Sequence, residues 1–143
     1  MSRPVELERR IDARPETVFS FLTDPIRYAR WMGVSAQLDP RPGGIYRVTV
    51  PQGFVAVGEF VEVDPPRRVV FTWGWEGDGP VPPGSSRVEI TLAADGDTGT
   101  LLRLSHTGLP DDEATVLHEQ GWDRYLDRLV LISTGGSVGP DGA

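Results

Sequence analysis

The sequence contains two histidines, His106 and His118, and imidazole is the side chain that titrates nearest neutral pH. His106 closes an alternating stretch in which Leu102, Leu104 and His106 share a face, while His118 falls at helical spacing with Ala114, Trp122, Tyr125 and Leu129. Both are therefore aimed at one interior. Such a pair could move protons or hold a ligand. The alternative, which base rates favour, is two structural histidines, each satisfied by a carbonyl or carboxylate. Glu59, Glu62 and Glu89 fall on central strands, where a buried carboxylate would be a candidate base with a raised pKa. Parity does not place Glu59, because neither face of its stretch is cleanly apolar and Gly58 could mark a bulge. Phe71, Trp73 and Trp75 alternate along one stretch and could either stack on a flat apolar ligand or fill the core.

Other chemistries find no support. Cysteine is absent, which removes thiolate nucleophiles, disulfides and zinc–thiolate sites. The histidines and acids show no metal-ligand spacing, and no metal or cofactor is expected. Ser85, Ser86 and Ser105 lack a nucleophile-elbow context, and Gly43-Gly44 lacks the strand–turn–helix setting of a phosphate loop.

The elements that must position these residues follow from periodicity and turn chemistry. Val5, Leu7 and Ile11 alternate with acids as in a half-buried strand. Pro15 and Glu16 suit the first turn of a helix whose buried face holds Val18, Phe19 and Leu22. Asp24 or Thr23 caps a second short helix that begins at Pro25 and runs to about Trp31 and Met32. Strands are expected at 34–39, 45–50, 54–63, 67–75, 86–93 and 100–107. Pro51-Gln52-Gly53 reads as a tight hairpin with Gly at positive φ, and 76–85 as a long loop forming the mobile rim of a cavity mouth. From Asp111 a long helix follows, with an inner stripe of Ala114, Leu117, His118, Gly121, Trp122, Tyr125 and Leu129. Residues 1–133 read as one domain, and 133–143 as a mobile tail with little to bury.

Composition narrows the partners. A net charge of −7 argues against nucleic acid, and no apolar run approaches the eighteen or so residues of a membrane helix. The N-terminus is charged and alternating, unlike a signal peptide, so a cytoplasmic protein is expected. All 14 basic residues are Arg, and Asn is also missing, which reads as a high-GC bacterial genome.

Ile11 to Phe19, Leu22-Thr23-Asp24-Pro25 and Tyr28-Ala29-Arg30-Trp31 together resemble the opening of the SRPBCC superfamily. This is the helix-grip group of lipid-transfer domains and birch-pollen allergens. More narrowly, four further phrases resemble bacterial homologues of the heat-shock-protein-90 ATPase activator. They are Asp39-Pro40-Arg41-Pro42-Gly43-Gly44, Gly58-Glu59-Phe60 with Asp64-Pro65-Pro66-Arg67, Val70-Phe71-Thr72-Trp73, and His118-Glu119-Gln120-Gly121-Trp122. The resemblance implies an α+β helix-grip fold: a curved antiparallel sheet of about six or seven strands, two short helices after the first strand, and a long C-terminal helix across the concave face. It implies a cavity rather than a reaction, since such proteins include carriers, cyclases and receptors. The eukaryotic activator has an additional N-terminal domain for much of its chaperone contact, and this sequence shows no counterpart to it.

The expected function is binding or carriage of a small apolar ligand between sheet and helix. The candidate wall comprises Trp31, Tyr46, Glu59, Phe71, Trp73 and Trp75 from the first half, with Ile90, Leu104, His106, His118, Trp122 and Tyr125 from the second. The alternatives are a cyclase- or hydrolase-type enzyme using His106, His118 or Glu59 as acid or base, and a chaperone-interacting module. Monomer and homodimer both remain open.

Overall fold

The computed structural model describes residues 3–135. Strand β1 (Val5–Ile11) leads into helices α1 (Pro15–Thr23) and α2 (Pro25–Met32). Strands β2 (Ser35–Leu38), β3 (Ile45–Thr49), β4 (Val55–Asp64), β5 (Arg68–Trp73), β6 (Ser86–Asp95) and β7 (Gly99–Thr107) follow, and α3 (Asp112–Ser133) completes the fold. The seven strands form one antiparallel sheet in the order β1-β7-β6-β5-β4-β3-β2. α1 and α2 thus carry the chain from one edge strand to the other, and the remaining strands return as a meander. This is the expected α+β helix-grip architecture.

The local chemistry explains the boundaries. Pro15 opens α1 with Glu16 in its first turn. The Asp24 carboxylate caps α2 by accepting from the N–H groups of Ile26 and Arg27 at 2.9 and 3.1 Å. Asp111 caps α3 by accepting from Ala114 N–H at 2.8 Å, with Asp112 and Glu113 at the positive end of the helix dipole. Gly53 turns the β3–β4 hairpin with φ +93°, as expected.

Three expectations need correction. The β4–β5 register shifts between Phe60 and Glu62, so the irregularity lies at Val61 rather than Gly58. Gly58 serves a different end: a Cβ there would lie 1.8 Å from the Thr72 carbonyl oxygen, so only glycine lets β5 come this close. In α3, Leu117 is 60% exposed, whereas Thr115 and Leu126 are fully buried. The helix is rotated so that Thr115, Trp122, Leu126, Leu129 and Ser133 face the interior, which turns Leu117 onto the flank. Ser133, placed in the tail by its polarity, is the last residue of α3 and is buried. The rest of that expected tail, from 136 onward, lies outside the described residues.

The inner face of the sheet is apolar throughout its centre. Val69, Phe71 and Trp73 of β5, Val88, Ile90 and Leu92 of β6, and Leu102, Leu104 and His106 of β7 are all buried. Burial of this face against the helices is the main stabilising contribution of the fold. Among the described residues no helix is long and apolar enough to cross a membrane.

Candidate functional site

The aromatic residues of the interior fall into two groups. In the first, Tyr46 stacks on Phe71 with ring centroids 4.1 Å apart, and Tyr28 and Phe60 meet Tyr46 edge-on. Its polar atoms are satisfied internally. Tyr28 donates to the Tyr46 hydroxyl oxygen at 2.5 Å, and Tyr46 donates to the Met32 sulfur at 3.9 Å. Burial holds both phenols above their ordinary pKa, so they stay protonated and can donate. Trp31 Nε1 donates to the Phe21 carbonyl at 2.8 Å. Trp31, Tyr46, Phe71, Ile90 and Leu104 are therefore packed interior, and none lines the two volumes beside α3 described below. Glu59 is exposed on β4, on the side of the strand opposite buried Phe60.

The second group surrounds the histidines, which the fold does bring together: their ring centroids are 5.2 Å apart, edge to face. His106 is fully buried. Its Nδ1 accepts from Trp122 Nε1–H at 3.0 Å, which leaves the proton on Nε2. Nε2 then donates to Ser86 Oγ at 2.8 Å, and Ser86 donates to the Trp73 carbonyl at 2.8 Å. His118 has the other tautomer. Its Nδ1 donates to the Ala114 carbonyl at 2.7 Å, and its Nε2 accepts from Trp75 Nε1–H at 3.1 Å. Protonating either acceptor nitrogen would set one N–H against another. Burial lowers the His106 pKa to about 3, with the neighbouring His118 adding to the effect. Burial also lowers that of His118, against the opposing Ala114 hydrogen bond. Both rings are neutral, with every nitrogen engaged.

Beside this cluster the packing opens. An inner volume of about 250 Å³ lies between Met32, Trp73, Trp75, Leu117, His118, Gly121, Trp122 and Tyr125. It adjoins a groove of about 650 Å³, with which it shares Trp75, Leu117 and His118 as wall. The groove is bounded by residues 76–81, Phe54 and the first turns of α3. Gly121 makes part of the inner wall, and a Cβ added there would meet nothing within 4 Å. The loop at 76–85 forms the rim but is better anchored than its Gly and Pro content suggests. Val81 is buried, its carbonyl accepts from Trp75 N–H at 2.7 Å, and Gly84 N–H reaches the Val57 carbonyl at 3.1 Å. Four carboxylates, Glu76, Asp78, Asp111 and Glu113, mark the groove, and Glu76 is paired with Arg47 at 2.6 Å.

Of the expected wall, Trp73, Trp75, His118, Trp122 and Tyr125 line this space, and His106 supports it from behind. Met32, Phe54, Val81 and Leu117 were not foreseen. Helical spacing puts Leu117 on the inner stripe without marking it as wall, and Phe54 carries no signal beyond its place after the hairpin turn. A further concavity of about 520 Å³ involves Glu6, Glu8, Glu89 and Arg103, which strand parity puts on the opposite face of the sheet. It is polar, and an Arg103–Glu8 ion pair at 2.9 Å lies across it. Among the described residues no group of three or more His, Asp or Glu side chains is placed to hold a metal ion.

Comparison with known proteins agrees with this architecture. An AHSA1-like protein from Rhizobium etli is 45% identical, with a TM-score of 0.74 over 99% of this chain and 89% of that one. CalU16 from Micromonospora echinospora is 33% identical, with a TM-score of 0.77 over 97% of this chain and 78% of that one. A Mesorhizobium loti protein is 25% identical, with a TM-score of 0.84 over 95% of this chain and all of that one. An uncharacterized Schizosaccharomyces pombe protein is 30% identical over 131 residues, 89% of this chain but 36% of that protein. The chain thus spans about a third of that curated relative. The pattern described as Activator of Hsp90 ATPase homolog 1-like protein matches residues 12–133, from the turn before α1 to the end of α3, and the chain belongs to that family.

Proposed function

We propose that this domain binds a small apolar ligand in the space between the Trp73–Trp75 end of β5 and the middle of α3. The observation that carries this reading is Gly121. A glycine in a helix interior costs about 1 kcal/mol relative to alanine. Here no close backbone approach accounts for it, because the space beside it is open. The wall around that space is aromatic and aliphatic, as in pockets for small apolar molecules. The enzyme alternative has weaker support: both imidazoles are neutral and fully engaged, and Glu59 is exposed.

The test is Gly121→Leu with a neutral solvatochromic dye such as Nile red. The added side chain should fill the inner volume and weaken dye binding at least about tenfold, or about 1.4 kcal/mol. It should leave the melting temperature within a few degrees of the parent. Unchanged dye affinity in the folded variant would sink the reading. Native mass spectrometry of protein purified from its own host should show a retained small molecule.

A second reading, contact with a protein partner, is favoured by the apolar rim, where Phe54 is 65% and Leu117 is 60% exposed. Family membership suggests a chaperone as that partner. A double Phe54→Ser, Leu117→Ser variant should then lose any effect on Hsp90 ATPase turnover; no effect from the parent protein would remove this reading.

A further inference from the structure

The groove beside the cavity carries charge of one sign. Its lining includes Glu76, Asp78, Asp111 and Glu113 but no Arg, and the chain has no Lys. Two of these carboxylates are committed within the fold. Glu76 is paired with Arg47 at 2.6 Å, and Asp111 caps α3 through Ala114 N–H. Asp78 and Glu113 have no ion-pair partner among the described residues.

Acids on a surface are usually only solvated, and the positive end of the α3 dipole offsets part of this charge. What sets these apart is their company. Phe54 and Trp75 lie in the same groove, with ring centroids 6.3 Å apart and planes at 73°. Phe54 is 65% exposed, so its ring is open to an incoming molecule. Aromatic rings flanked by carboxylates attract an organic cation twice, through the ring quadrupole and through charge, and they repel an anion.

The inner volume selects differently. Its wall is aromatic and aliphatic, contains neither acid nor Arg, and its imidazole is neutral. A charge of either sign entering it would lose hydration without gaining a counter-ion. The two spaces share Trp75, Leu117 and His118, so one molecule can place a tail in the inner volume and a head in the groove.

We propose that the ligand is an amphiphilic organic cation, with its apolar tail beside Gly121 and an ammonium-type head among Phe54, Trp75, Asp78 and Glu113. This rests on the ligand-binding reading above and names the chemistry of that same site.

The experiment displaces Nile red from the full chain with octyltrimethylammonium, octanol and octanoate, which share one tail. At low ionic strength the cation should bind at least about fivefold more tightly than octanol. Octanoate should bind at least about tenfold more weakly than octanol. In about 1 M salt, where the screening length is about 3 Å, the cation's advantage should shrink to about twofold. Tetramethylammonium, a head without a tail, should bind at least about a hundredfold more weakly than the octyl cation. Asp78→Asn combined with Glu113→Gln should cut the cation's advantage over octanol at least about threefold, and Phe54→Leu should also reduce it. Each readout is a ratio of two ligands on one protein, so a general loss of stability does not imitate it. Octanol binding as tightly as the cation, or an advantage unmoved by the double variant, overturns this inference and leaves the apolar site standing. Tightest binding by octanoate, tetramethylammonium as tight as the octyl cation, or an octyl cation that fails to displace the dye also overturns it. If Nile red itself does not bind the parent, the ligand-binding reading falls, and this inference with it.

Discussion

At the α2 end of the interior, Tyr28, Trp31, Tyr46, Phe60 and Phe71 interlock, and the hydroxyls and indole of this group are paired within the protein. At the α3 end, Trp73, Trp75 and Trp122 are just as closely spaced, yet they border open volume, and the Trp73 indole has no hydrogen-bond partner among the described residues. Both ends are aromatic. What differs is the covering element: α2 supplies Tyr28 and Trp31 to fill the first end, whereas α3 presents Gly121 to the second. Aromatic content therefore does not separate core from cavity. The backbone opposite the aromatics does.

The strongest way to break this comparison is to truncate one residue from each end. Phe71→Ala should cost about 3–5 kcal/mol in chemical denaturation, because a packed ring leaves a cavity that cannot collapse. Trp75→Ala, at the half-buried rim, should cost clearly less while weakening apolar-dye binding more. Equal stability losses would show that the two ends are packed alike.

The histidine cluster gives a pH signature confined to the α3 end. His106 titrates near 6.5 when unfolded, and its pKa is lowered to about 3 in the native protein. As pH falls, the unfolded chain takes up the proton first. Stability is thus complete above about pH 7 and declines between about pH 6.5 and 3, with a limiting slope of about 1.4 kcal/mol per pH unit. The loss by pH 4.5 should be on the order of 2–3 kcal/mol, and His118, shifted the same way, adds to it. Denaturation curves of the parent and His106→Gln from pH 7 to 5, above the range of most carboxylates, check this. Parallel curves would mean that His106 is not the source.

Tyr28→Phe probes the other end. It removes the donor to Tyr46 and should cost about 1 kcal/mol with no effect on dye binding. An altered dye affinity would show that the two ends communicate. The smallest effect is expected for Gly121→Ala, which should stabilise by about 0.5–1 kcal/mol because helix propensity improves and the methyl group enters open space. Destabilisation would mean that the helix lies closer to the sheet than described.

Much of the frame was legible from local chemistry. Pro15, Asp24, Pro25 and Asp111 marked the helix starts, and strict alternation marked β6 and β7, where Val88, Ile90, Leu92, Leu102, Leu104 and His106 all proved buried. Errors arose where a local rule had two outcomes. Gly58 suggested a bulge and proved to be a site of close strand approach, while the bulge sits at Val61, which has no distinguishing residue type. Leu117 fits a helical stripe by spacing, but spacing does not set the rotation of a helix about its axis. That rotation follows from contacts with β1 and α2, formed by residues remote in the chain.

The same boundary runs through the site. The amino-acid sequence by itself determined the element order, the excluded chemistries and the convergence of His106, His118 and Trp122 on one interior, because side-chain period and turn chemistry act within a few residues. Only the tertiary structure decided which aromatics became core and which became wall. It also decided how two indoles fix the tautomers of two buried imidazoles and which indole N–H has no acceptor among the described residues. Those outcomes depend on distances between β5, β7 and α3, and hydrogen-bond partners 16 and 43 residues apart carry no local signature.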